Sequence, residues 1–79
     1  MNHNVVKSNN FKGSRLRDAR TERGMSMAVL AGKLGLNGSY GKTISFIESN
    51  RIKPFLEIER KLEVLFNKPE NFFSNNENV

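Results

Sequence analysis

The chain is predicted to fold as a compact all-α bundle of about five short helices. Three observations predict it. Apolar residues recur at helical spacing, most fully at Phe55, Ile58, Leu62, Leu65 and Phe66, beside the charges Glu57, Glu59, Arg60 and Glu63. Punctuating residues divide the chain into short segments: Gly24, Gly35, Gly38 and the pair Lys68-Pro69. Finally, the 79 residues allow one small domain, which at this length buries only about 60% of its unfolded surface.

The elements follow in order. Met1 to Asn10 holds four Asn and no periodicity, so it reads as a flexible N-terminal arm preceding a domain over 11–73. Residues 74–79 read as a disordered tail. A first helix is expected over about Ser14–Arg23, ended by a left-handed Gly24, with Leu16 and Ala19 inward and Phe11 folding back. A second starts at Ser26, whose hydroxyl caps free N–H groups, and runs to Leu34, with Gly35 ending it. Leu36-Asn37-Gly38-Ser39 is turn chemistry. A third helix is expected from Ser39 or Tyr40 to Ser49, with Ile44 and Ile47 buried on one side. Pro54 is placed to open the fourth. Lys68-Pro69 breaks it and begins a last short turn of helix docking Phe72 and Phe73, one ring inward and the other toward a twin subunit.

Charge narrows the function. Thirteen Lys and Arg against eight Asp and Glu leave +5. Met1 to Lys53 carries +7 and Pro54 to Val79 carries −2, the uneven balance of a polyanion binder. There is no cysteine, and the single histidine, His3, lies in the arm, so neither a metal site nor a cofactor is expected. The scattered acids give no base, acid or nucleophile held in a cleft, so the chain is not expected to be an enzyme. No apolar run suits a signal peptide or a membrane span, and a cytoplasmic location is expected.

A set of ordered segments then becomes recognisable. Arg15-Leu-Arg-Asp-Ala-Arg-Thr-Glu-Arg-Gly24 leads into Met25-Ser26, then Leu30-Ala31-x-x-Leu34-Gly35-Leu36, then Thr43-Ile44-Ser45-Phe46-Ile47-Glu48, then Arg51-Ile52-Lys53-Pro54. Over roughly Gly13 to Phe73 this resembles the helix-turn-helix domain of the Cro and phage-repressor type, the XRE family of transcriptional regulators. The resemblance implies a lambda-repressor-like fold in which the second helix crosses the DNA backbone and the third enters the major groove. It places Ser26, Met27, Ser39, Tyr40, Gly41, Lys42, Thr43, Phe46, Arg51 and Lys53 at the DNA. Lys42 would reach guanine edges or a phosphate, Ser39 and Thr43 would offer hydroxyls, and Arg51 and Lys53 would grip the backbone. Arg15, Arg17 and Arg23 would add rim contacts. It also implies an ion pair between Arg20 and Glu48 that clamps the third helix to the first.

The sequence departs from the family pattern at three places. Met27 stands where a Gln is usual, Phe46 where a polar or basic residue is usual, and residues 37–42 lengthen the interval before Thr43, either adding a turn to the third helix or looping out at Gly38 and Gly41. The expectation is a homodimeric repressor on a palindromic double-stranded operator. The alternative is a protein-interaction module or antitoxin, in which Met27, Val29 and Phe46 form an apolar patch for a protein partner.

Overall fold

The computed structural model describes residues 6–36 and 41–74. Among them the chain forms four helices and no strand: α1 (Gly13–Glu22), α2 (Met27–Lys33), α3 (Gly41–Glu48) and α4 (Leu56–Phe66). The all-α expectation holds, with four helices in place of five.

All four helices stop in the same way. A left-handed residue follows each one, at Gly24 (φ 62°), Gly35 (φ 84°), Asn50 (φ 65°) and Asn67 (φ 57°). The next residue's N–H then bonds back to a carbonyl five positions earlier: Met25 to Arg20, Leu36 to Ala31, Arg51 to Phe46 and Lys68 to Glu63. This Schellman pattern satisfies carbonyls that a helix end leaves free, and it needs a residue that tolerates positive φ. The two glycines are legible from sequence; the two asparagines do the same work less visibly. At the start of α2 the Val29 N–H donates to Ser26 Oγ at 3.0 Å, so the cap expected at Ser26 forms.

Pro54 does not open α4. It is buried, its carbonyl accepts the Ser8 N–H at 2.9 Å, and the helix begins two residues later behind an extended Phe55. The second half of the arm is correspondingly held. Lys7 bridges Phe55 in antiparallel sense, the Leu56 N–H donates to the Val6 carbonyl at 2.7 Å, and Ser8 is buried. A helix start presents N–H groups without partners, and here a neighbouring backbone supplies the acceptor. Residues 1–5 of the arm and all of the proposed tail except Ser74 lie outside the described residues.

Among the described residues no fifth helix follows Pro69. Asn71 takes φ 67°, and residues 70–74 fold as turns that lay Phe73 into the core. Its ring stacks on Phe11 at 5.7 Å between centroids and meets Phe66 edge-on at 6.3 Å. Phe72 is the outer ring of the pair. It lies half-buried between two cations, Arg15 at 5.2 Å and Lys68 at 4.8 Å from its centroid.

Two of the acids beside the apolar stripe of α4 are themselves buried, Glu59 and Glu63. Glu63 accepts the Asn71 N–H at 2.8 Å and pairs with Arg60. Glu59 accepts the Ser74 hydroxyl at 2.8 Å, and its other oxygen is buried without a hydrogen bond. Both carboxylates pin the turn that carries Phe73. Of the apolar stripe, Leu62 and Phe66 are buried, Ile58 and Leu65 pack at the core edge, and Phe55 is exposed ahead of the helix.

Candidate nucleic-acid interface

Helix α3 is held at both ends. At its C-terminal end Glu48, 3% exposed, accepts two hydrogen bonds from Arg20: Nε to Oε2 at 2.6 Å and Nη2 to Oε1 at 3.1 Å. The third nitrogen, Nη1, donates to the Met25 carbonyl at 2.8 Å, so one guanidinium ties α3, α1 and the α1–α2 turn together. The hydrogen bond to Glu48 raises the Arg20 pKa further above its ordinary value, with burial opposing. Arg17 adds a looser contact to Glu48 at 3.6 Å from a largely exposed side chain. The same end touches Gly13 without room to spare: a Cβ there would lie 2.5 Å from the Ile47 carbonyl oxygen and closer still to that of Glu48. Asn50, just past α3, accepts the Gly13 N–H on its side-chain oxygen at 3.0 Å.

The N-terminal end of α3 rests on the start of α2. A Cβ on Gly41 would lie 3.4 Å from the Ala28 nitrogen and 3.5 Å from Met27 Cβ. Two helix beginnings therefore lie side by side, and neither first turn carries an acid. Each presents the partial positive charge of a helix N-terminus.

The outward side of α3 follows from its buried residues. Ile44, Ile47 and Glu48 face inward, so at 100° per residue Lys42 and Phe46 point most nearly away from the core, with Thr43 and Ser45 flanking. Lys42 is exposed and has no carboxylate within ion-pair distance among the described residues. Phe46 is half-buried, with the Arg51 guanidinium 5.8 Å from its ring centroid. Ser45 was not singled out from sequence, although the same wheel places it at the border.

The predicted residues thus fall into groups. Ser26, Met27, Gly41, Lys42, Thr43, Phe46 and Arg51 lie on or beside the adjoining starts of α2 and α3 and the outer face of α3. Ser39 and Tyr40 lie outside the described residues. Lys53 is drawn to the arm, its ammonium donating to the Asn9 carbonyl at 3.2 Å. Two rim arginines have internal partners as well: Arg15 donates to the Phe72 carbonyl at 2.8 Å, and Arg23 to the Leu65 carbonyl at 3.2 Å. The apolar patch is smaller than the sequence suggests. Met27 packs against the core edge and Phe46 is partly covered by Arg51, which leaves Val29, 51% exposed.

No helix among the described residues is long and apolar enough to cross a membrane, and those residues contain no cluster of three or more potential metal ligands. No family model, no curated protein and no solved structure matches the chain.

Proposed function

We propose that the chain is a helix-turn-helix regulator of the lambda-repressor-like, XRE type that binds double-stranded DNA, with α3 in the major groove and the start of α2 against the backbone. The observation that carries this reading is the pair of adjoining, acid-free helix starts with Lys42 projecting beside them. A helix about 10 Å across fits the major groove. Two N-terminal ends side by side suit phosphates along the groove edge. The +7 balance of Met1 to Lys53 supplies long-range attraction. Lys42 reads base edges, Arg51 grips a phosphate, and Thr43 and Ser45 flank them. Two copies on a palindrome place their reading helices about 34 Å apart, one turn of DNA, and occupancy of a promoter blocks transcription.

The test is fluorescence anisotropy on DNA from upstream of the protein's own reading frame, against random DNA, titrated with salt. Sequence-selective binding with a steep salt slope is expected. Lys42→Ala should weaken operator binding more than random binding, and Arg51→Ala should weaken both and flatten the salt slope by about one unit. Weak binding indifferent to sequence and to both substitutions would refute the reading.

A further inference from the structure

A second surface lies away from these residues. Between the C-terminal end of α2 and the outer side of α4 runs an open groove of about 710 Å³. Its floor is Leu34, Gly35 and Leu65, and Val64 stands on its wall. Val64 is 83% exposed, the most exposed large apolar residue among those described, and it lies in the last turn of the longest helix. A β-branched residue there gains nothing for α4 as a helix. Gly35 keeps the floor open, and a Cβ on it would lie 3.9 Å from Lys61 Nζ, so the ammonium hangs across the groove.

The charges at the rim decide what fits. Lys33, Arg60 and Lys61 stand against Glu57. Arg60 is already engaged by Glu63 and Glu70, whereas Lys33 and Lys61 have no carboxylate within ion-pair distance among the described residues. The rim therefore offers two uncommitted cations and one uncommitted carboxylate, Glu57, over an apolar floor, a balance that stays positive. A second copy of the chain suits it poorly. A two-fold contact pairs the patch with itself, so a lining of three cations and one carboxylate would meet the same net positive lining.

We propose that this groove docks an acidic amphipathic helix of another protein, its apolar residues at i and i+3 or i+4 seated against Val64 and Leu65 and its carboxylates against Lys33 and Lys61. The docked partner and the DNA would occupy different surfaces, so the regulator could hold both at once.

The probe is a displayed library of helical segments of about twelve residues, selected on the full chain and then measured as synthetic peptides. Selected peptides should combine apolar i, i+4 pairs with Asp or Glu. Their binding should fall about tenfold or more on Val64→Glu and on Lys61→Glu. Both side chains are exposed, and circular dichroism should show both variants folded as the parent is. Enrichment of basic peptides, no enrichment at all, or peptides that bind the Val64→Glu protein equally well would overturn the proposal. So would a light-scattering mass of twice the chain that falls to one on Val64→Glu, because the groove would then belong to a second copy.

Discussion

Replacing Gly13 by alanine tests how tightly α3 is set against α1. The new methyl would lie 2.5 Å from the Ile47 carbonyl oxygen, against an ordinary C···O separation of about 3.3–3.6 Å. The end of α3 must therefore back away by about 1 Å, and the obstructing atoms are backbone that no rotamer change can remove. Overpacking of this kind costs about 1–3 kcal/mol. The value here should sit at the upper end, because the same movement lengthens the Asn50 bond to the Gly13 N–H. For a domain of this size a loss of about 2–3 kcal/mol lowers Tm by roughly 10–20 °C. Gly32→Ala is the control: nothing lies within 4 Å of its Cβ position inside α2, so it should raise Tm by a few degrees, the helix gaining about 0.5–1 kcal/mol. Both are read by thermal melts followed by circular dichroism. A Gly13→Ala protein that melts with the parent would refute the close approach, and with it the fixed seat of α3.

Two further outcomes follow from the packing. Arg20→Met should cost about 3–5 kcal/mol, because it leaves the buried Glu48 with only the exposed Arg17 at 3.6 Å; an unchanged urea midpoint would contradict the clamp. Ending the chain after Asn71 removes Phe73, wholly buried between Phe11 and Phe66, and should abolish cooperative unfolding rather than merely separate a dimer. A sharp melt by calorimetry would show that the core closes without that ring.

The parts that were legible in the sequence are those decided by short-range chemistry. Gly24, Ser26 and Gly35 mark helix ends because positive φ and a capping hydroxyl act on their own neighbours. The pairing of Arg20 with Glu48 was anticipated only through the family resemblance, since nothing local joins residues 28 apart. The misreadings share one cause. Glu59 and Glu63 look like a solvated face until the turn at 70–74 brings Ser74 and the Asn71 N–H onto them. The polar arm looks unable to fold because its attachment runs through backbone atoms, which composition does not register. The Lys53 bond to the Asn9 carbonyl is hidden in the same way, because nothing local joins residues 44 apart.

Phe73 also governs when the protein can exist. It stacks on Phe11, the Lys12 N–H donates to its carbonyl at 2.7 Å, and Arg15 reaches the carbonyl of Phe72, so the start of α1 is completed by residues made some sixty positions later. A ribosome that has translated all four helices but not this aromatic pair holds a chain with α1 unroofed. Folding must wait until Phe73 has cleared the exit tunnel, and any pause or early stop before that codon yields a nascent chain open to proteases.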